Sequence, residues 1–160
     1  MNVSFERTTA TDEWYTPKEL IDSLGEFDLD PCAPIQPLWQ TAKIMYNKVD
    51  DGLNRPWGGR IWLNPPYSRP LIEQFIRKMV DHNNGIALLF NRLDSSMMQE
   101  VVLPNVHAMK ILRKRIRFYR PDGTQAGSPG TGSLLFAFGK ENAEILRNHS
   151  YEGFFIKLKD

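Results

Sequence analysis

The tetrapeptide Asn64-Pro65-Pro66-Tyr67 constrains this chain more than any other stretch. It follows Arg60–Leu63, a short apolar run that predicts a buried strand. Because each proline lacks an N–H and has a fixed φ, the chain cannot continue pairing and leaves the sheet in a rigid, extended shape. We expect the Asn64 side chain and the Pro65 carbonyl to be presented as two hydrogen-bond acceptors beside the flat ring of Tyr67. Such a corner suits a planar group that carries an NH2.

Three further segments accompany this corner. They are Glu13-Trp14-Tyr15-Thr16-Pro17, Asp28-Leu29-Asp30-Pro31-Cys32-Ala33 and Arg115-Ile116-Arg117-Phe118. Together with the tetrapeptide, and over about Trp14 to Gly139, they resemble the small phage-type DNA N6-adenine methyltransferases (the phage Dam family). The resemblance implies methyl transfer from S-adenosylmethionine to N6 of a flipped-out adenine in double-stranded DNA. It also implies that Asn64, Pro65, Pro66 and Tyr67 are catalytic.

The segment from Trp14 to Pro17 allows two interpretations. Thr16 before Pro17, with Glu19 three residues later, is typical of a helix N-cap with a capping box. The family resemblance instead implies that Trp14, Tyr15, Thr16 and Pro17 wall the methionine end of the cofactor. Both interpretations can hold at once, since one turn can cap a helix and line a pocket.

Asp30 is predicted at the carboxyl end of a first strand, Phe27 to Asp30. Ligands of open α/β sheets lie outside such ends, and a carboxylate there can bind the ammonium of the cofactor. The plainer interpretation is a turn aspartate before Pro31. We expect Cys32 to be a small buried residue near the cofactor.

The resemblance also implies an aspartate that accepts from the amino group of the cofactor's adenine. Asp51 is the preferred candidate and Asp50 the alternative, while a solvated turn explains the pair equally well. A second strand is predicted over Ala42 to Tyr46. No clear acidic residue stands at its end to bind the cofactor ribose.

The net charge of the chain is +1, so any contact with nucleic acid must depend on local charge. Arg69 follows the tetrapeptide, and Arg92 lies in the loop after an apolar run at Ile86 to Phe90. A basic cluster surrounds Arg115 to Phe118, where basic and apolar residues alternate. We expect contact with DNA phosphates from Arg69, Arg92, Lys114, Arg115 and Arg117; a solvated face is the alternative for the cluster.

The order of predicted elements indicates an α/β fold, and the resemblance implies one compact Rossmann-like methyltransferase domain. Its sheet should be mostly parallel, with an antiparallel pair at the edge formed by Arg115–Phe118 and Ser133–Phe138 around a long tip at Pro121 to Gly132. A helix is predicted from Leu71 to about Val80. We expect residues 1–12 to be a flexible lead-in and residues 13–160 to form the domain.

Several classes of protein are disfavoured. No apolar run reaches the length of a membrane span, the histidines have no metal-ligand spacing, and the single cysteine agrees with a cytoplasmic protein, here in a bacterial cell. Three alternatives stay open: N4-cytosine methylation, methylation of a protein glutamine, and an inactive DNA-binding relic of the fold.

Overall fold

The computed structural model describes residues 14–127 and 130–160, so the predicted flexible lead-in over residues 1–12 lies outside the described part. Three α-helices are present: α1 at Lys18–Ser23, α2 at Leu71–His82 and α3 at Lys140–Asn148. A π-helical turn covers Met98–Val102. Within the described residues, no helix has the length and apolar character needed to cross a bilayer.

Seven strands form one sheet in the order β2-β1-β3-β4-β6-β5-β7. Their bounds are β1 Leu29–Asp30, β2 Ile44–Met45, β3 Ile61–Leu63, β4 Gly85–Phe90, β5 Ala108–Leu112, β6 Ser133–Phe138 and β7 Gly153–Lys157. Strands β1 to β4 pair in parallel, whereas β6 is antiparallel to both β4 and β5, and β7 is antiparallel to β5. Hence β1 to β5 point the same way, and only β6 and β7 run against them. The predicted mixed α/β sheet is confirmed at this level.

Helices cover both faces of the sheet, which explains why β3, β4 and β6 are apolar on both sides. On one face, Ile76 and Met79 of α2 and Val102 of the π-helical turn pack against Leu63 and Phe136.

On the opposite face, Leu20 and Leu24 of α1 and Leu146 of α3 join Trp62 and Leu135 in a second buried cluster. The sheet is therefore set between two packed layers.

The predicted edge pair is wrong in its partners. Arg115–Phe118 belongs to no strand, and Ser133–Phe138 is an interior strand whose neighbours are β4 and β5. The edge strand on this side of the sheet is β7. The alternation within 115–118 nevertheless predicted burial correctly, because Ile116 and Phe118 are buried and the two arginines are exposed.

The predicted cap of the first helix is also wrong. Helix α1 begins at Lys18 with Pro17 as its N-cap, and no side chain caps it. Thr16 is buried, and its hydroxyl contacts a side chain far along the sequence instead. That side chain is Asn64, which directly follows β3.

Candidate active site

The site lies where the order of the sheet reverses. From β1 the chain moves outward to β2 and then returns to place β3 on the other side of β1. Crevices outside the carboxyl ends of strands at such a reversal are the usual ligand sites of open α/β sheets. Asp30 ends β1, and Asn64 directly follows β3. A cavity of about 570 Å³ opens between these two residues.

Most of the residues that sequence reasoning assigned to the cofactor line this cavity. They are Trp14, Tyr15, Thr16, Asp30, Pro31, Cys32 and Asp51, together with Asn64 and Pro66 of the tetrapeptide. Pro17 and Asp50 are not among the lining residues. The volume is within the usual range of about 300–1,000 Å³ for small-molecule sites.

The Asp30 carboxylate is buried at the base of the cavity. One oxygen accepts from the backbone N–H of Cys32 at 3.0 Å, and the other accepts from the hydroxyl of Thr41. Burial raises the pKa of Asp30 from 3.8 to about 6, against the opposing effect of these two bonds. A buried carboxylate with no cation beside it is poised for a cationic partner. Sequence reasoning missed Thr41, which no local pattern marks.

Cys32 adds to the apolar lining beside Asp30. Burial first, and the charge of Asp30 second, raise the pKa of its thiol, so the thiol stays neutral. A neutral thiol is a poor nucleophile. Cys32 is only partly buried, whereas a buried residue was predicted.

The amide of Asn64 has a defined orientation. Its Nδ2 donates to the backbone carbonyl of Trp14 at 3.2 Å and to Oγ1 of Thr16 at 3.1 Å. Because a carbonyl can only accept, the nitrogen must face Trp14, and the oxygen Oδ1 must face the other way. Among the described residues no donor reaches Oδ1 or the carbonyl of Pro65. Both expected acceptors are therefore present and available.

Tyr67 is more constrained than sequence reasoning predicted. Its hydroxyl accepts from the backbone N–H of Phe90 at 2.9 Å, and its ring stacks on Phe90 with centroids 4.9 Å apart at 26°. Burial raises the pKa of the phenol, so it is un-ionised. One face of the ring is thus occupied, and the ring is fixed in place by β4.

Of the two candidate aspartates, Asp51 is the one at the cavity. It is exposed and has a left-handed backbone with φ 63°, and its carboxylate accepts from Asn54 Nδ2 at 2.7 Å. The Asp50 carboxylate is turned back to the N–H of Asn47 at 2.9 Å. Directly after β2, the residues that line the cavity are Asn47 and Lys48, so neither of them is an acid that could bind the cofactor ribose.

Trp39 also lines the cavity. Its indole N–H donates to the carbonyl of Thr16 at 3.0 Å, and its ring meets the edge of Tyr119 with centroids 5.0 Å apart. It is half-buried and supports the Thr16 turn from the outside. A lone tryptophan in a proline-broken loop carries no sequence signal for this position.

The basic residues lie at the same edge of the sheet. Strand β5 ends where β4 ends, so the 113–120 segment leaves the sheet at the edge where β1, β3 and β4 have their carboxyl ends. A second cavity of about 350 Å³ is lined there by Arg113, Lys114, Arg115 and Arg117, with Glu19 and Glu152 at its border.

Arg69 and Arg92 are exposed on neighbouring loops at this edge. The charge of Arg92 acts to lower the pKa of Tyr67, against the larger effect of burial. Within the described ranges there is no group of three metal-ligating side chains.

Comparison with known proteins gives the family. The model of the family described as DNA N-6-adenine-methyltransferase (Dam) matches residues 4–151. A DNA N-6-adenine-methyltransferase of Escherichia phage T1 is 39% identical over 87 residues, which cover 49% of this chain and 35% of that protein. One of Haemophilus phage HP1 is 35% identical over 71 residues, or 41% of this chain and 39% of the relative.

The aligned part thus spans little more than a third of either relative. No solved structure gives a significant match. The family model, in contrast, covers nearly all of the described fold and includes the cavity, the tetrapeptide and the basic segment. The chain therefore belongs to the DNA N-6-adenine-methyltransferase (Dam) family.

Proposed function

We propose that this protein transfers a methyl group from S-adenosylmethionine to N6 of adenine in double-stranded DNA. The observation that carries the proposal is the orientation of Asn64, whose Nδ2 is bound by Trp14 and Thr16 while Oδ1 is left as an acceptor. The family match and the names of the two phage relatives support the same substrate.

The 570 Å³ cavity fits the proposed cofactor in its chemistry. The buried Asp30 carboxylate would bind the ammonium of the methionine part, and Asp51 would accept from the adenine amino group. Thr16, Pro31 and Cys32 would form the walls between these two ends. The parallel strands β1 to β4 and the site at their reversal support a Rossmann-like methyltransferase domain over residues 13–160.

Bound there, the cofactor would supply an electrophilic methyl group on sulfonium sulfur. The residues of this chain would activate N6 of the target adenine, which attacks that methyl group. The lone pair of the adenine amino group is delocalised into the ring, which makes it a weak nucleophile. Asn64 Oδ1 and the Pro65 carbonyl would accept its two hydrogens, drawing the nitrogen toward tetrahedral geometry. Pre-set acceptors of this kind act by positioning and electrostatics.

A base inside a duplex cannot reach this corner, so it must leave the helix at a cost of roughly a few kcal/mol. Stacking of the base on the face of Tyr67 opposite Phe90 would offset part of that cost, because base stacking on an aromatic ring is worth about 1–3 kcal/mol. Phosphate contacts from Arg69, Arg92 and the basic segment would position the backbone around the flipped nucleotide.

The test is methyl transfer from tritiated S-adenosylmethionine to unmethylated DNA, with the product nucleoside identified by mass spectrometry. N6-methyladenine is the expected product. N4-methylcytosine would assign the alternative base, and no label in DNA from a folded protein would reject the proposal. Asn64→Ala is the inactive reference, and Asn148→Ala on the exposed face of α3 is the matched control.

A further inference from the structure

Ser133 has a buried hydroxyl that the fold does not use. The residue is 3% exposed, and its Oγ has no hydrogen-bond partner among the described residues. Nearly all buried polar side-chain atoms have a partner, because an unpaired one costs roughly 1–3 kcal/mol. A buried hydroxyl without a partner therefore points to a bound ligand that supplies the missing hydrogen-bond partner.

The position of Ser133 is set by the sheet. It is the first residue of β6 and pairs with Phe90, the last residue of β4, and the Asn91 N–H donates to the Gly132 carbonyl at 2.9 Å just beyond. Phe90 also binds and stacks on Tyr67. One strand pair thus connects Ser133 to the catalytic tetrapeptide.

Ser133 also shares a small cavity with that tetrapeptide. The cavity is lined by Trp14, Asn64, Pro65, Tyr67, Leu88, Leu89, Phe90, Phe118 and Ser133. It lies on the Tyr67 side of Asn64, whereas the large cavity lies on the Pro66 side. Both proposed acceptors for the amino group therefore border the space that contains the unpaired hydroxyl.

We propose that the Ser133 hydroxyl donates a hydrogen bond to a ring nitrogen that flanks the amino group of the target adenine. The proposal rests on the function proposed above. Asn64 Oδ1 and the Pro65 carbonyl use the two amino hydrogens, so a third group in the same cavity meets the ring edge beside the amino nitrogen. On adenine both flanking positions, N1 and N7, are acceptors, and a serine hydroxyl can donate to either.

Admission of the base requires movement of two aromatic side chains. The small cavity holds only about 10 Å³, which is room for one water-sized group. Trp14 and Phe118 flank it, and their segments are joined by the paired backbone bonds between Tyr15 and Tyr119 at 3.0 and 2.9 Å. Entry of a base displaces these side chains, while Ser133 stays fixed on the sheet.

The experiment compares wild type and Ser133→Ala on oligonucleotides whose target base is adenine, 1-deazaadenine or 7-deazaadenine. Loss of one hydrogen bond should lower kcat/KM on adenine about tenfold. On the analogue that lacks the contacted nitrogen, variant and wild type should be equal, and the identity of that analogue names the nitrogen. The ratio of the variant kcat/KM to the wild-type kcat/KM is taken for each base, so that differences in base-pairing strength between the analogues cancel.

Two further variants make the result decisive. Ser133→Thr keeps the hydroxyl and should retain the preference for adenine, and Ser150→Ala removes an exposed hydroxyl and should change nothing. Ser133→Ala should unfold no earlier than wild type, because it removes an unpaired buried group.

An equal penalty on all three bases, or no penalty on adenine, overturns the assignment of Ser133. Wild-type activity on adenine is measured in the same series. If the wild type is inactive, the proposed function is wrong, whereas the role of Ser133 is tested by the variant-to-wild-type ratios.

Discussion

The amide nitrogen of Asn64 donates to the hydroxyl of Thr16 at 3.1 Å, across 48 residues of sequence. This bond and the one to the Trp14 carbonyl decide which atom of the amide faces the substrate. The residue expected to cap α1 therefore orients the proposed catalytic side chain.

We expect Thr16→Val to lower the single-turnover rate of methylation by about 10–100-fold, because a misplaced acceptor no longer aligns the amino nitrogen. Thr16→Ser keeps the hydroxyl and should remain close to wild type. Calorimetric titration with S-adenosylmethionine separates a loss of positioning from a loss of cofactor binding. Equal rates for the valine and serine variants would exclude an orienting role.

Asn64→Ala should abolish turnover. Sequence reasoning also suggests little cost to the fold, but the structure gives a different expectation, because the amide holds both Trp14 and Thr16. Each bond contributes about 0.5–1.5 kcal/mol, so unfolding in urea should begin at a lower concentration than for wild type. Residual activity above background would contradict the proposed mechanism.

Cofactor binding should weaken in acid. Burial raises the pKa of Asp30 from 3.8 to about 6. Below pH 6 the carboxyl is protonated and must lose its proton before it accepts an ammonium, so affinity should fall as the pH drops through that value.

Calorimetric titrations with S-adenosylmethionine between pH 5 and pH 8 measure this dependence. Asp30→Asn should bind weakly at every pH. If the wild-type affinity for S-adenosylmethionine is the same at every pH in this range, Asp30 does not bind the ammonium.

Tyr67→Phe separates the ring from its hydroxyl. The ring should still stack on a base, so activity should remain within about tenfold of wild type. The Phe90 N–H loses its acceptor, which should destabilise the fold by about 1–3 kcal/mol in urea titrations. Tyr67→Ala should lose activity as well. If the phenylalanine variant is inactive yet stable, the hydroxyl has a chemical role that stacking does not explain.

Replacing Arg115 and Arg117 together by Ala should weaken binding to DNA of any sequence. The slope of log K against log salt should fall by about 1–2, because fewer phosphates are neutralised and fewer counterions are released. Arg77 is the control, because it is also exposed and lies on α2, away from this segment, where it pairs with Glu73 at 2.8 Å. Fluorescence anisotropy over a salt series gives the slopes, and an unchanged slope would return both arginines to a solvated face.

Sequence reasoning located several elements, and the two strand ends that border the large cavity, through strong local patterns. The Leu71 helix, the apolar β4 run and the strand ends at Asp30 and Asn64 depend on periodicity and proline chemistry, which are local. The position of β6 was not accessible, because the choice of neighbouring strand depends on pairings between distant segments.

The roles of Thr16, Trp39, Thr41 and Ser133 were missed or misread for a related reason. Each depends on a partner that the fold brings from elsewhere, such as Asn64 for Thr16 and Asp30 for Thr41. A threonine before a proline looks like a helix cap whatever its distant partner is. Local sequence therefore predicts which strand end carries the chemistry better than it predicts the side chains that support it.

The acceptor that Trp14 offers to Asn64 is a main-chain oxygen, and every amino acid has one. Relatives can therefore replace the Trp14 side chain without changing the orientation of the Asn64 amide. A deletion or insertion of a single residue between positions 14 and 16 would move this carbonyl away from the Asn64 amide and inactivate the site. At position 14, spacing rather than residue identity is what selection should preserve, whereas position 16 also needs a hydroxyl.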